Sequence, residues 1–346
     1  MAGLIRRVRL KPDISRRRFG LVVGTFAIAA FAACVLAPFV GSRHIELSRV
    51  FDRSIPFADN VDAQIFFIAR LPRVLAAALV GASLAVAGAV FQALLRNPLA
   101  SADTLGVSGG AALGATVAIA FHVDLTAFGI SAVPISSLTG SIGALAVVYA
   151  LAAARRRGMA ATGLLLAGIA LNAFFLAIVM FVQSLADPAE TFRIVRWLMG
   201  SLDLGSYSSI VGSLPLLACA TVGLVSLPRK LDLMSLGGEA AAARGVDVRR
   251  TEQIALLSAS LATGSAVSLA GPVSFIGLVV PHLARLLIGS DHRLVLPTSA
   301  LFGSIFLIGC DLLARTAFLP IELPVGIVTA LVGAPFFLWL LLRRIR

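Results

Sequence analysis

Two arginines flank a proline in the stretch RLPR, residues 70–73, and the long apolar run 74–95 follows it directly. Guanidinium groups at the end of a membrane helix can reach lipid headgroups, or they can bind carboxylates of another protein. Arg315, near the end of a later apolar run, is a third candidate for the second role, although Asp311 four residues before it offers a local ion pair. The residues alone leave both interpretations open.

A serine and a histidine also stand where hydrolysis could be supported. Ser108 lies in the string GVSGG at a helix start, and His282 lies on a separate apolar run, which is the minimum set for an intramembrane serine protease. The alternative, that Ser108 is a small packing residue and His282 a helix-end or pore-lining residue, is favoured because glycine is abundant. The four histidines are scattered and the three cysteines lie in apolar runs, so no catalytic, metal or disulfide site is assigned.

The sequence shows neither an acidic residue in the middle of a predicted membrane helix nor a nucleotide-binding motif. Each of the 17 carboxylates falls in a predicted loop or near a predicted helix end, which disfavours an ion-coupled carrier, although carbonyl-based sodium sites stay open. The only lysines, Lys11 and Lys230, do not end a G-x-x-x-x-G-K-[ST] loop, so the sequence has no Walker A motif. We expect no cofactor on this chain, and ATP with magnesium only on a separate ATPase.

The elements that must position these residues are membrane helices. The chain has 346 residues, of which 59% are hydrophobic and 13% charged, with a mean hydropathy of +0.98. This composition predicts an all-α polytopic membrane protein. Ten apolar runs are long enough to cross a bilayer, at roughly 19–41, 66–95, 105–121, 127–151, 160–183, 208–227, 252–270, 275–290, 295–313 and 323–342.

The placement of arginine and lysine predicts the orientation of these ten helices. Of the 29 arginines and lysines, 21 fall on the side of both termini and eight on the other side. The positive-inside rule therefore puts the N- and C-termini in the cytoplasm and RLPR outside, where the bias disfavours arginine. The net charge of +12 is then mainly a topology signal and a contact for anionic lipid, and we expect no nucleic-acid partner.

Small residues and a weak internal repeat predict how the helices pack. Gly106, Gly110 and Gly114 recur at four-residue spacing, which lets two helix backbones approach closely. Residues 81–98 and 264–281 match at six positions when the chain is shifted by 183 residues. Because the second predicted helix runs inward and the seventh outward, the copies have inverted topology, with helices 2–5 repeated in helices 7–10.

Several long stretches resemble a known family. They are RLPRVLAAALVGASLAVAGAVFQALLRNPLASADTLGVSGGAALGA (70–115), LLLAGIALN (164–172), RWLMGSL (196–202), SLGGEAAAARGV (235–246), GPVSFIGLVVPHLARLLIGSDHRLVLP (271–297) and ELPVGIVTALVGAPFFLWLL (322–341). In this order they are similar to FecCD permeases, the membrane subunits of bacterial ABC importers for iron chelates, haem and vitamin B12. The match begins near residue 19, so we expect one permease domain over 19–346 after a basic cytoplasmic segment over 1–18.

The resemblance implies an assembly and a mechanism. Two copies would form a homodimer in the bacterial inner membrane, with two cytoplasmic ATPases below and one periplasmic binding protein above. Alternating access, driven by the ATPases, would import a ferric siderophore or haem, and cobalamin is the alternative cargo. A serine protease built on Ser108 and His282 and an ion-coupled carrier are the alternatives from other classes.

The resemblance also assigns roles to two sets of residues. Arg70, Arg73 and Arg315 would receive carboxylates of the binding protein. The loop of about 228–251 would carry the segment that couples to the ATPase, and its implied residues are Gly237, Gly238, Glu239, Ala241, Ala243, Arg244 and Gly245. Gly237, Gly238 and Gly245 bracket the helix-forming string EAAAAR, which predicts a short helix between flexible joints.

A cytoplasmic gate is implied at RNPLA, residues 96–100. Pro98 has no backbone donor, so it should end the second helix and leave Asn97 and Leu99 as a constriction. Thr162, at the start of the fifth helix, lies near the family's other gate-forming turn, and GMAATG departs from the commoner versions there. A gate of this kind would serve an apolar, neutral path that lets bulky chelates leave.

Overall fold

The computed structural model describes residues 15–126, 130–154, 161–202 and 207–345, with side chains except those of 152–154, 161–162, 341 and 343–345. The described residues are almost entirely helical, so the all-α prediction is confirmed for them. The α-helices are α1 (Arg16–Leu36), α2 (Leu47–Val50), α3 (Val61–Gln64), α4 (Leu71–Leu94), α5 (Val107–Ala120), α6 (Ala132–Ala154), α7 (Ala161–Leu185), α8 (Pro188–Leu198), α9 (Ser208–Val225), α10 (Pro228–Met234), α11 (Gly238–Ala242), α12 (Val248–Ala270), α13 (Ile276–Ile288), α14 (His292–Thr316) and α15 (Val325–Ile345). A π-helical stretch, Ile65–Arg70, joins α3 to α4.

Apolar helices lie at all ten positions that the sequence predicts. Within the described ranges, the spans long and apolar enough to cross a membrane are Arg16–Phe39, Val61–Leu94, Ala132–Leu151, Gly163–Leu185, Ser208–Val225, Val248–Ala270 and His292–Thr316. Three shorter apolar helices, Val107–Ala120, Ile276–Ile288 and Val325–Leu340, occupy the third, eighth and tenth predicted positions. The chain is a multi-pass membrane protein, while ten complete crossings and cytoplasmic termini stay predictions.

Helices α4 and α14 form a closely packed pair. Gly81 of α4 lies against the backbone carbonyl of Gly303 in α14, and neither glycine has room for a Cβ atom. The hydroxyl of Ser304 donates to the carbonyl of Ala78 at 2.8 Å across the same contact. In lipid, close backbone approach and interhelical hydrogen bonds of this kind take over the role that the hydrophobic effect has in water.

The predicted glycine ladder lies at the contact between α5 and α6. Gly110 packs on the carbonyl of Gly140, and Gly114 packs on the carbonyl of Ser136. Gly106 differs from these two, because it is the N-terminal cap of α5 and has φ +79°, a conformation that favours glycine. The ladder thus combines one helix start with two points of backbone contact.

The helix contacts follow the predicted inverted repeat. α4 packs on α13 and α14, and its counterpart in the repeat, α12, packs on the corresponding helices α5 and α6. Gly264, which the 183-residue shift aligns with Gly81, lies against the side chain of Ser141 in α6. Equivalent positions in the two halves therefore make equivalent contacts, which supports the repeat.

Helix α13 is tied to α4 through a side chain that replaces a missing backbone donor. Pro281 has no N–H group, so the carbonyl of Gly277 four residues earlier loses its usual helical partner. The side-chain amide of Gln92 in α4 donates to that carbonyl at 3.1 Å. Arg285 in turn donates to the amide oxygen of Gln92. The contact satisfies a backbone carbonyl that lacks its helical partner and binds the two helices together.

We predict opposite effects for two glycines one turn apart in α6. The carbonyl of Gly110 occupies the space that a Cβ on Gly140 would need, so Gly140→Ala should lower the free energy of unfolding by about 1–3 kcal/mol. A Cβ on Gly143 would meet nothing within 4 Å, so Gly143→Ala should be neutral or stabilising by about 0.5–1 kcal/mol. Unfolding midpoints in a detergent titration would compare them, and equal midpoints would contradict the packing described.

Candidate functional site

A cluster of charged side chains joins α4 and α14 at the end of the bundle that holds RLPR. Asp311 of α14 has a side-chain exposure of 0%, and it accepts a hydrogen bond from Arg73 Nε at 2.7 Å. Its second oxygen lies 3.0 Å from Arg315 Nε. Glu322, in the turn after α14, pairs with the other side of Arg73 at 2.6 Å. We call these four residues and Arg70 the external charge cluster, because the sequence predicts that this end of the bundle lies outside the cytoplasm.

Two arginines of the cluster also fasten the segment after α1. Arg70 donates to the carbonyl of Pro38 at 3.1 Å and to that of Arg43. Arg315 donates to the carbonyl of Val40 at 3.3 Å. Arg70 and Arg315 are only 6% and 4% exposed. Because a buried charge without partners is costly, these carbonyls and Asp311 account for the placement of both guanidinium groups.

The structure shows where the arginines assigned to docking lie in the free chain. The ion pair between Asp311 and Arg315, which the sequence offers as an alternative, is present. Arg73 keeps 14% of its side chain exposed, while Arg70 and Arg315 are enclosed. Docking of an acidic partner on all three stays a prediction, and Arg70 and Arg315 would have to release internal partners to take part.

The central role of Asp311 is the feature that sequence reasoning missed. The pattern identified Asp311 only as a local partner of Arg315, since the two are four residues apart. Its bond to Arg73 joins residues 238 positions apart in the chain, and single-sequence spacing carries no signal for such a pair. The available signal was an acidic residue inside a long apolar helix, which is rarely placed without a partner.

An open groove of about 310 Å³ lies beside the external charge cluster. One wall is the edge of the cluster and the following turn, and the other is α8, a helix with one apolar and one charged face. The lining residues are Arg73, Phe192, Val195, Arg196, Met199, Ser201, Glu322, Leu323 and Pro324. The groove thus presents cationic and apolar groups side by side.

The residues assigned to the cytoplasmic gate form a tight turn at the opposite end of α4. Helix α4 ends at Leu94, before Pro98, and the side-chain oxygen of Asn97 accepts the backbone N–H of Leu99 at 2.9 Å. Pro98 and Leu99 line a crevice against α13 and α15, whose other lining residues are Leu278, Val279, His282, Phe336, Phe337 and Leu340. Thr162 lies in the first turn of α7, and its side chain is outside the described part.

Ser108 and His282 occupy different surroundings. The Ser108 hydroxyl forms a hydrogen bond with the carboxyl group of Asp103, just before α5. Burial raises the pKa of Asp103, and this hydrogen bond opposes the increase. His282 instead lines the crevice beside Pro98 and Leu99. The Ser108 hydroxyl therefore has Asp103 as its partner, and the crevice that His282 lines does not include Ser108.

The described residues also contain no cluster that could hold a metal ion. Nowhere among them do three histidine, cysteine or acidic groups lie close enough together to bind one. Cys34, Cys219 and Cys310 are free thiols.

The predicted coupling segment is a short helix between two glycines with positive φ. Gly237 and Gly245 have φ +118° and +81° at the two sides of α11. Ala241 is fully buried, whereas Ala243 and the residues that follow it to Gly245 are exposed. The Arg96 guanidinium lies 3.8 Å from the position a Cβ would take on Gly238. The segment is thus adjacent to the first residue of the RNPLA turn.

Comparison with known proteins decides the family. Residues 28–343 match the model of the FecCD transport family. This chain is a FecCD protein. It is 41% identical to the hemin transport system permease protein HmuU of Yersinia pestis, over 80% of this chain and 82% of that one. It is 37% identical to the vitamin B12 import system permease protein BtuC of Vibrio cholerae, over 94% of this chain and 93% of that one.

A solved structure agrees with this FecCD assignment. An ABC transporter assigned to the metal-chelate type, in an inward-facing conformation, superposes with a TM-score of 0.80 at 30% identity. The match covers 93% of this chain and 99% of that one. The FecCD chain is therefore a transport permease of the cytoplasmic membrane, and its relatives include permeases named for the transport of hemin and vitamin B12.

We predict that the FecCD chain depends on Asp311 for stability more than on Glu322. Asp311→Asn removes the fully buried anion that Arg73 and Arg315 share and should lower the free energy of unfolding by about 3–5 kcal/mol. Glu322 is 47% exposed, so Glu322→Gln should cost at most about 1 kcal/mol. Unfolding midpoints of purified variants in detergent test this, and an Asp311→Asn variant as stable as the original would refute the role given to the cluster.

Proposed function

We propose that this chain is the permease of an ABC importer that moves an iron chelate, a ferric siderophore or haem, from the periplasm to the cytoplasm. The observation that carries the proposal is membership of the FecCD family over residues 28–343, together with the likeness to an inward-facing transporter of the metal-chelate type. Vitamin B12 is the alternative cargo, because a relative named for its import is similar over almost the whole chain.

The proposed assembly has this chain as a homodimer. Two cytoplasmic ATPases hold ATP and magnesium, since the sequence has no Walker A motif of its own. One periplasmic binding protein delivers the cargo to the external end. A pairing with a second, related permease is the alternative to the homodimer, and the subunit composition of the purified complex would distinguish the two.

Coupling between the ATPase and the gate has a short physical route in this proposal. The exposed side of the α11 segment, including Ala243 and Arg244, contacts the ATPase. Arg96 lies beside Gly238 of that segment and directly precedes the gate residues Asn97, Pro98 and Leu99. A movement of the segment would therefore reach the gate through one side chain, and alternating access would follow from rocking of the two copies.

The binding protein docks at the external groove in this proposal. Arg73 and Arg196 supply cationic groups at the groove, and α8 supplies the exposed apolar ring of Phe192. Acidic side chains on the binding protein would meet these arginines. Charges at the rim of an interface mainly affect the association rate and its salt dependence, so docking is expected to weaken as ionic strength rises.

Reconstitution tests the function directly. The permease with its ATPase in vesicles, supplied with the binding protein, should accumulate haem or a ferric siderophore only when ATP is present. Uptake of cobalamin alone would establish the alternative cargo. Accumulation by the permease without its partners would contradict the proposal, because a chain lacking a nucleotide site has no access to the energy of ATP.

Cysteine crosslinking tests the coupling segment with a matched control. Ala243→Cys lies on the exposed side of the α11 segment and should crosslink to a cysteine on the ATPase surface. Ala241→Cys, two residues earlier, is fully buried and should crosslink poorly. Mass spectrometry of the crosslinked complex gives the yields. Equal yields, or a higher yield at residue 241, would place the ATPase contact elsewhere.

A further inference from the structure

Helix α14 connects the two ends of the bundle. It runs from His292 to Thr316 with Pro297 in its second turn, and its 25 residues span about 37 Å at the α-helical rise of 1.5 Å per residue. Near its C-terminal end it carries Asp311 and Arg315 of the external charge cluster. A displacement of its N-terminal end must therefore either move the cluster or bend the helix.

The N-terminal end of α14 is bonded to α10. His292 Nδ1 lies 2.9 Å from Asp232 Oδ1, and the backbone N–H of His292 donates to the same oxygen at 3.3 Å. His292 is buried, and Asp232 is the α10 residue that reaches it. We call this pair the α10–α14 joint. Two bonds from one residue to one carboxylate oxygen fix the start of α14 relative to α10.

Further charged groups hold the start of α14 in place. Asp291 caps the helix by accepting the backbone N–H of Arg293 at 2.9 Å, and it also pairs with the Arg293 side chain. Burial disfavours the charged form of Asp291, but the hydrogen bonds from Arg293 and one with the Asp232 side chain outweigh it, so the pKa of Asp291 is lowered. The carboxylate therefore stays charged and keeps the helix start ordered.

Helix α10 joins this contact to the coupling segment. Leu231 of α10 is fully buried in the same apolar cluster as Leu294 and Val295 of α14. Met234, the last residue of α10, is also buried, and α11 begins four residues later at Gly238. Because α10 packs on both α11 and α14, a displacement of the coupling segment can be transmitted to α14 through α10.

Helix α14 cannot move far without α4. The carbonyl of Gly303 touches Gly81, and the hydroxyl of Ser304 is bonded to Ala78 of α4. The two helices therefore move as one body, which carries both Asp311 and Arg73. The partners of this body at the external end lie in separate turns: Glu322 after α14, and the carbonyls of Pro38 and Val40 after α1.

We propose that His292 and Asp232 are positioning residues, which transmit movement of the coupling segment through the paired helices α4 and α14 to the external groove. The proposal rests on the proposed function, because it takes the ATPase to bind the α11 segment and the binding protein to bind the groove. A shift of the paired helices would change the spacing between Arg73 and Glu322, which both line the groove. Nucleotide on the ATPase would thereby alter how well the binding protein docks.

The affinity of the binding protein for the complete complex, with and without a non-hydrolysable ATP analogue, tests the joint. In the unmodified complex we expect the analogue to change Kd by about 5- to 150-fold, the usual range for coupling between two sites. In His292→Ala and in Asp232→Ala this ratio should fall to about 1–3, with nucleotide-free Kd unchanged. Asp232→Asn, which keeps an acceptor oxygen for His292, should retain most of the ratio.

Arg18→Ala is the matched control. Arg18 donates to the carbonyl of Ile288 at 3.0 Å, so this variant removes a bond between α1 and α13 at the same end of the bundle, away from the proposed route. It should keep the full nucleotide effect. An equal loss in Arg18→Ala would overturn the inference, because general loosening would then explain the result.

The remaining outcomes are also decisive. A full nucleotide effect in either alanine variant would overturn the inference. If His292→Ala does not assemble, the two Asp232 variants decide, since Asp232 is the more exposed partner. Loss of the nucleotide effect in Asp232→Ala and its retention in Asp232→Asn would then support the α10–α14 joint. An unmodified complex with no nucleotide effect would overturn the inference, whereas the proposed function itself fails only if the reconstituted complex shows no ATP-dependent uptake.

Discussion

Helices α4 and α14 approach each other so closely that Gly81 and Gly303 have no space for a side chain. This backbone contact sets the separation of the two helices, and the separation determines which of their side chains can meet. At one end this separation lets Asp311 reach Arg73. Asp311 also pairs with Arg315, and Arg73 also pairs with Glu322. In a lipid environment such proximity is the main source of specificity between helices, since apolar side chains alone do not select a partner.

The helices could be predicted from the sequence, because a membrane helix must satisfy its backbone internally and must be apolar over a set length. Both requirements are local, and apolar helices lie at the ten predicted positions. The short helix of the coupling segment was predictable for the same reason, since Gly237 and Gly245 flank a strong helix-forming string. The local sequence was sufficient to predict those elements whose structure depends only on neighbouring residues.

The charged contacts could not be predicted in the same way. Arg70 and Arg315 looked like surface cations because their positions at helix ends are typical of such residues, yet each is enclosed by carbonyl groups of the segment after α1. The joint between His292 and Asp232 connects residues that lie 60 positions apart in the chain. Pairings of this kind depend on tertiary packing, for which one sequence without relatives contains no periodicity or motif.

The amide that Gln92 provides to Gly277 has a consequence for how these positions can diverge. The carbonyl needs an outside donor only because residue 281 is proline, whose ring nitrogen carries no hydrogen. A homologue with alanine or leucine at position 281 would regain the internal helical bond and could tolerate an aliphatic residue at position 92. Positions 92 and 281, almost two hundred residues apart, should therefore covary across related sequences. Glutamine or another amide should occur at position 92 where the imino acid proline occurs at position 281.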